Sequence, residues 1–148
     1  EFILNQPPFR DAKIIVGNKN FGCGSSREGA VFALTANGFR SLIAPSFGDI
    51  FYNNCFQNNL LAARASEKSV AILNREIDRC VGLHLRINLD TNSIESDRTP
   101  TLKFELDALR SEMLTHGLDP VAATLTREQE ISNFEKSYLR NHTWAQPP

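Results

Sequence analysis

The sequence has little of what a membrane-spanning, secreted or nucleic-acid-binding chain requires. No apolar run approaches the ~20 residues that a transmembrane helix needs. The first residues show no basic segment followed by an apolar stretch, which is the pattern of a secretory signal. The 16 basic and 17 acidic side chains give a net charge of −1, which argues against an electrostatic surface for nucleic acid or anionic membranes. We therefore expect neither nucleic acid nor a membrane as a partner.

Cysteine and histidine are also scarce. The three cysteines, Cys23, Cys55 and Cys80, are odd in number and widely spaced, so they predict neither a disulfide framework nor an iron–sulfur cluster held by this chain. The three histidines fall in separate predicted elements, without a second ligand at metal spacing. We expect no metal site in this chain and a reducing compartment, the cytoplasm.

The remaining composition is that of an ordinary globular α/β domain. The chain has 148 residues, of which 41% are hydrophobic and 22% charged, and this length predicts one domain over residues 1–148 with a loose tail at about 141–148. Trp144 is a candidate to dock that tail. Apolar runs at Lys13–Gly17 and Ser41–Ala44, separated by a helical pattern, indicate two parallel strands joined by a crossover helix.

Several further elements follow from periodicity and turn chemistry. We predict short strands at Phe2–Asn5 and Leu60–Ala63, a half-buried strand at Leu83–Leu89, and a hairpin strand at Ile94–Ser96 that leads into a strand at Thr101–Leu106. Helices are predicted over Ser66–Cys80 and from Asp107 to Gly117, with a last helical region opening at Asp119. Ser46 with Asp49, and Thr126 with Gln129, are typical of helix starts. An apolar stripe on the last helix consists of Ile131, Phe134 and Tyr138.

Residues Asn20–Glu28, between the strand at Lys13–Gly17 and the first helix, carry the most specific chemistry. Gly22 and Gly24 allow sharp turns and a close approach to a ligand. Ser25 and Glu28 have the spacing of a capping box, with the helix predicted from Ser26 to about Gly38. The segment lacks the third glycine of a dinucleotide fingerprint, the last glycine of a nucleophile elbow and the lysine of a P-loop. Local chemistry leaves two interpretations open, a well-capped strand–turn–helix and an anion site at a helix N-terminus.

The segment Phe21–Glu28, together with Ala44–Phe47 and Asp49–Tyr52, resembles the small subunits of 3-isopropylmalate dehydratase, which is also called isopropylmalate isomerase and belongs to the aconitase superfamily. Further agreement is found at Asn54, Leu60–Leu61, Phe104–Asp107 and Gly117–Asp119. Gly29 stands where the family most often has histidine. The sequence also opens well inside the family's pattern, so the resemblance implies a chain that is N-terminally truncated relative to the family.

This resemblance implies a fold and an activity. The fold is an α/β aconitase-like swivelling domain, layered β/β/α with a mixed sheet. The activity is that of a hydro-lyase subunit, which exchanges 2-isopropylmalate and 3-isopropylmalate by dehydration and rehydration in leucine biosynthesis. Alternatives with the same site are the small subunits of homoaconitase or of a methylmalate-type hydro-lyase. A non-catalytic carboxylate-binding module is an alternative of a different class.

The resemblance also assigns roles to residues and partners. Ser25 is expected to be the general base, with Ser26, Arg27, Gly24 and Asn54 binding the dicarboxylate substrate. A 4Fe–4S cluster is expected on a separate large subunit and no cofactor in this chain, so the isolated chain should be inactive. If early strands are missing, an unpaired sheet edge could favour a homo-oligomer when the chain is isolated.

Overall fold

A computed structural model describes residues 3–7, 9–24 and 26–145, and these build an α/β fold around one mixed sheet. The strands are β1 (Ile14–Val16), β2 (Ser41–Ala44), β3 (Leu61–Ala65), β4 (Arg86–Asn88), β5 (Ser93–Ser96) and β6 (Thr99–Glu105). The helices are α1 (Gly29–Ala36), α2 (Asp49–Gln57), α3 (Glu67–Arg79), α4 (Ala108–His116), α5 (Pro120–Leu125) and α6 (Glu128–Asn141).

The strand order in the sheet is β1-β2-β3-β6-β5-β4. The first three strands are parallel, with Ile15 opposite Leu42 and Leu42 opposite Ala62. Strand β6 is antiparallel to β3, and β5 and β4 continue the antiparallel half through hairpin connections. Because the carboxyl ends of parallel strands meet at one edge, the loops after β1, β2 and β3 all emerge on the same side of the sheet.

The core follows from how these strands are covered. All four residues of β2 are buried, as are Leu61, Ala62, Ala63 and Ala65 of β3, which is typical of strands covered on both faces. Strand β6 instead alternates, with Leu102 and Phe104 buried between exposed neighbours. Helix α3 packs through Val70 and Leu73 and contacts β1, β2 and β6. The predicted α/β fold with a mixed sheet is confirmed.

Local sequence signals were most accurate where capping and periodicity agree. Ser66 caps α3, and its hydroxyl accepts a hydrogen bond from the Ser69 amide at 3.1 Å. Asp107 caps α4 in the same way through the Arg110 amide, and Gly117 ends that helix with a φ of 63°. The parallel crossover from β1 through α1 to β2 and the hairpin were also predicted correctly, and the strand predicted at Thr101–Leu106 is present as Thr99–Glu105.

Three predictions near the N-terminal half were wrong. The predicted strand at Phe2–Asn5 is a single 3₁₀ turn at Ile3–Asn5, where the Gln6 amide bonds back to the Ile3 carbonyl; Phe2 lies outside the described residues. The first helix begins at Gly29 and not at Ser26. Ser46 does not cap α2, because its hydroxyl bonds to Asn20, and Gly48 occupies the cap position.

Other corrections concern the C-terminal half. Of the predicted strand Leu83–Leu89, only Arg86–Asn88 pairs with a neighbouring strand. The neighbour, β5, is only four residues long, and the pairing of β5 with β6 is irregular between Ile94 and Ser96. The hydroxyl of Thr126 donates to the Ala123 carbonyl, so it does not form the predicted capping box, and Arg127 is the cap residue of α6.

The stripe on α6 is not covered by the rest of the described chain. Phe134 is 65% exposed and Ile131 37%, and Phe134 stacks instead on Tyr138, with ring centroids 5.6 Å apart. Trp144 is 78% exposed and meets only the His142 ring edge-on among the described aromatic contacts, so it does not dock the tail. None of the helices in the described ranges is both long enough and apolar enough to cross a bilayer.

Candidate functional site

The loop after β1 is held as an extension of the parallel sheet. Phe21 forms an isolated parallel bridge with Phe47, which follows β2. The Phe21 amide donates to the Ser46 carbonyl at 3.0 Å, and the Gly48 amide donates to the Phe21 carbonyl at 2.9 Å. Backbone bonds on both sides of Phe21 therefore fix the loop against the start of α2.

Two residues with positive φ turn this loop. Asn20 has a φ of 56°, and its amide donates to the Ser46 hydroxyl at 2.9 Å. Gly22 has a φ of 74°, and a Cβ added there would lie 2.3 Å from the ring of Phe51. Both the conformation and the lack of space require glycine at this position.

An aromatic cluster supports the loop from below. The Phe21 ring meets Phe47 and Phe51 edge-on, at centroid distances of 6.1 and 5.8 Å. Phe47 and Phe51 are buried, and the cluster continues through Tyr52, 5.7 Å from Phe47, to Phe56, 4.9 Å from Tyr52. Because buried aromatic pairs pack with specific geometry, the loop rests on a rigid base.

Three of the predicted site residues at the tip of this loop face solvent. Ser26 and Arg27 are exposed, and a Cβ at Gly24 would meet nothing within 4 Å. Ser25, the predicted general base, lies outside the described residues. Gly24, Ser26 and Arg27 thus lie on a part of the surface that a ligand or another protein can reach.

Glu28 is placed differently from the prediction. It occupies the cap position of α1, but its side chain makes no capping bond. Its carboxylate instead accepts a hydrogen bond from the side-chain amide of Asn58 at 3.3 Å. This bond ties the start of α1 to the end of α2. The Asn58 amide also donates to the carbonyl of Asn54 at 2.9 Å. Asn54, the remaining predicted site residue, is half-buried on α2 and is linked to Glu28 through Asn58.

A second group of charged residues lies on the other side of α2, and sequence reasoning missed it. A cavity of about 390 Å³ opens there. Its lining residues are Tyr52, Arg64, Asn92, Glu105, Leu106, Asp107 and Arg110. Arg64 interrupts an otherwise apolar strand, Leu61–Ala65, and that interruption was the available sequence signal.

Two guanidinium groups of this cavity lie near one aromatic ring. The Arg64 Cζ atom lies 3.9 Å from the centroid of Tyr52, and the Arg110 Cζ atom lies 5.0 Å from the same centroid. Arg110 also donates to the Asn53 side-chain carbonyl at 3.0 Å and forms an ion pair with Asp107. Asn53 thus holds Arg110.

These contacts shift two titratable groups. Burial raises the pKa of Tyr52 above its ordinary value, although the charges of Arg64 and Arg110 oppose the shift. Burial also disfavours the charged form of Asp107, but the hydrogen bonds and charge of Arg110 outweigh it, so the pKa of Asp107 is lowered. Asp107 therefore remains a carboxylate that orients Arg110.

The described residues contain no group of three or more histidine, cysteine or acidic side chains that could hold a metal ion. Cys23 is exposed in the loop, whereas Cys55 is fully buried in the core and its burial raises the pKa of the thiol to about 12. Cys55 is therefore a packing residue, because a thiol that stays protonated is a poor ligand and nucleophile.

Comparison with known proteins adds sequence and fold relationships to this geometry. The aconitase C-terminal domain family matches residues 1–68. The 3-isopropylmalate dehydratase small subunit of Rhizobium etli (strain CIAT 652) is 41% identical over 145 residues, which cover 98% of this chain and 72% of the relative. The corresponding subunit of Bordetella avium is 42% identical over 146 residues, 99% of this chain and 68% of the relative. A crystal structure of 3-isopropylmalate dehydratase from Methanocaldococcus jannaschii is 33% identical, with a TM-score of 0.60, and covers 81% of this chain and 67% of that chain.

Proposed function

The chain belongs to the family of 3-isopropylmalate dehydratase small subunits, and on that premise we propose that residues 21–28 form its half of a shared active site. The predicted family, the swivelling-domain fold and the role as a hydro-lyase subunit of leucine biosynthesis are confirmed. The reaction we assign to the site is the interconversion of 2-isopropylmalate and 3-isopropylmalate. The assignment of individual residues stays a proposal.

The single observation that carries the proposal is the exposed tip of a rigidly held loop. Gly22 is packed on Phe51 and the Phe21 backbone is bonded on both sides, whereas Gly24, Ser26 and Arg27 point to open surface. A loop with this rigidity can present a guanidinium and a hydroxyl with little loss of entropy on binding.

Arg27 suits a dicarboxylate substrate. Its guanidinium can donate two parallel hydrogen bonds to one carboxylate, which the single ammonium of a lysine cannot do. Ser26 adds a hydroxyl on the neighbouring residue, and Gly24 leaves space for close approach of the substrate to the backbone. Asn54, held near the start of α1 through Asn58 and Glu28, is the proposed contact from α2.

Ser25 is the proposed general base, although it lies outside the described residues. A serine hydroxyl removes a proton from carbon only if its alkoxide is stabilised. Backbone amides of the loop and the adjacent Arg27 guanidinium are the kind of preorganised donors that provide such stabilisation. Glu28 is not proposed to transfer protons, since its carboxylate is bonded to Asn58.

A separate large subunit is the proposed partner, and a 4Fe–4S cluster on that subunit would supply the Lewis acid that the departing hydroxyl requires. The side chains of the described residues do not assemble a site for such a cluster. The contribution that we propose for this chain is to bind and orient the carboxylates and to move the proton. The isolated chain is expected to be inactive.

The test is reconstitution with the cluster-loaded large subunit of a relative, followed by ultraviolet absorbance of the unsaturated intermediate. Ser25→Ala should abolish turnover while retaining substrate binding, and Arg27→Lys should raise KM more than it lowers kcat. Arg75→Lys, an exposed arginine on α3, is the matched control and should behave like the unsubstituted chain. Full activity of Ser25→Ala, or activity without the large subunit, would refute the assignment.

The same assay identifies the substrate. Paired subunits tested against 2-alkylmalates of different side-chain length should prefer 2-isopropylmalate. Preference for another alkyl group would instead assign a homoaconitase or methylmalate-type reaction to the site. Carboxylate binding without turnover in the paired subunits would indicate a non-catalytic module.

Three further expectations stay predictions. The cytoplasm is the expected compartment, which suits the free thiols of Cys23, Cys55 and Cys80. Self-association of the isolated chain can use β1 or β4, which form the two edges of the described sheet. Residues 1–148 are expected to behave as one domain.

A further inference from the structure

We propose that the cavity between α2 and α4 is a second ligand site, in which Arg64 and Arg110 bind the carboxylate of a small organic acid. The two side chains come from β3 and α4 and converge on Tyr52 of α2. The cavity volume of about 390 Å³ lies within the usual range of small-molecule sites. The proposal does not depend on the roles assigned to Ser25 and Arg27.

Among the described residues, Arg64 contacts an aromatic ring but has no hydrogen-bond acceptor. Its side chain is half-buried, with its guanidinium 3.9 Å from the centre of the Tyr52 ring. Glu105 lies directly opposite Arg64 in the sheet register. Within residues 3–7, 9–24 and 26–145, however, no acceptor bonds to the Arg64 guanidinium and no carboxylate lies within 4.0 Å of it. The N–H donors of Arg64 are therefore available to an anion that enters the cavity.

Arg110 is held in position to act with Arg64. Asp107 and Asn53 each accept a hydrogen bond from its guanidinium, so its orientation is set from two sides. Since both guanidinium carbons lie near one ring centroid, they cannot be further apart than the sum of their distances to it, 3.9 and 5.0 Å. A carboxylate that enters the cavity between the two guanidinium groups is therefore within reach of both.

The charges on the lining favour a carboxylate over a phosphate. Two arginines face two acidic residues, Glu105 and Asp107, so the empty cavity has no net charge. Asp107 is already paired with Arg110, and Glu105 would repel a dianion. A planar carboxylate matches the fork of a guanidinium and adds a single charge.

The site is close to the proposed active loop but separate from it. The rings of Phe21, Phe47 and Tyr52 form a continuous series, with successive centroids 6.1 and 5.7 Å apart. Phe21 belongs to the loop, whereas Tyr52 lies under Arg64. A ligand in the cavity would therefore contact the far end of the aromatic cluster that supports the loop.

The chain offers a direct probe, because Tyr52 and Tyr138 are its two tyrosines. The full chain would be labelled with 3-fluorotyrosine and titrated with acetate, a carboxylate with a single charge, at constant ionic strength, using chloride as the reference salt. The ¹⁹F resonance of Tyr52 should shift saturably with acetate, while that of Tyr138, on α6, should not move. Inorganic phosphate should shift the Tyr52 resonance with at least tenfold lower affinity.

Variants separate this site from the active loop. Arg64→Gln should weaken acetate binding at least tenfold, and Arg64→Lys, which keeps the charge but loses the fork, should weaken it less. Arg27→Gln should leave the Tyr52 response unchanged even though it removes the proposed substrate clamp. Equal shifts with chloride and acetate, an unchanged response in Arg64→Gln, or loss of the response in Arg27→Gln would each overturn the proposal. If Arg64→Gln fails to fold, the response of Arg64→Lys and the comparison with chloride on the unsubstituted chain still test the proposal.

Discussion

Replacing Gly22 by alanine should destabilise the whole protein, whereas the same change at Gly24 should not. At Gly22 the added Cβ would lie 2.3 Å from the Phe51 ring, and φ is 74°. Phe51 is 2% exposed and packs in the aromatic cluster, so its ring cannot move away without disturbing the core. At Gly24 an added Cβ meets nothing within 4 Å.

The expected loss of stability has two parts. An L-residue in the left-handed region costs about 1–2 kcal/mol, and one extra carbon forced into a packed core costs about 1–3 kcal/mol. Gly22→Ala should therefore lower the free energy of unfolding by about 2–5 kcal/mol. For a chain of this length, a loss of 1 kcal/mol lowers Tm by about 2–4 °C, so the loss should be clear in a thermal scan.

Urea denaturation followed by circular dichroism measures the difference directly. Gly22→Ala should shift the midpoint to lower urea without changing the slope, and Gly24→Ala should stay within about 0.5 kcal/mol of the unsubstituted chain. A third variant, Gly22→Ala with Phe51→Leu, gives the new methyl group room and should recover part of the loss relative to Phe51→Leu alone. Equal stabilities for Gly22→Ala and Gly24→Ala would refute the packing of this loop on α2.

Three other predictions concern residues away from the loop. Burial raises the pKa of Cys55 from its ordinary value of 9.0 to about 12 in the folded chain, so the contribution of the protonated thiol to stability should be present below pH 9 and lost as the pH rises towards 12. Urea midpoints measured between pH 8 and 11 should therefore fall less steeply in Cys55→Ala than in the unsubstituted chain. Asp107→Ala removes a helix cap and should lower the free energy of unfolding by about 1–2 kcal/mol. Because the pKa of Asp107 is lowered in the folded chain, the difference in unfolding free energy between this variant and the unsubstituted chain should shrink as the pH falls below 4. Phe134→Ser should change the unfolding free energy by less than about 0.5 kcal/mol, since that ring is 65% exposed; a larger loss would mean that α6 packs on the core.

Much of the fold could be predicted because its signals are local. The cap at Ser66 and the apolar spacing of Val70 and Leu73 lie within a few residues of one another, and they defined α3 correctly. The motif at residues 21–28 was sufficient to identify the family, because its residue types and order are specific. The sequence alone therefore determined the α/β class, most of the helices and the position of the proposed active loop.

Tertiary structure decided which of several plausible partners each polar or apolar side chain takes. Ser46 bonds to Asn20, 26 residues away, and not to its own helix, and Arg110 reaches Asn53 across 57 residues. Phe134 has the spacing of a buried stripe, but the described chain brings no surface to cover it. Spacing along the chain specifies which residues share a face of a helix or strand. The packing of distant elements determines what that face contacts, and only the folded chain shows those contacts.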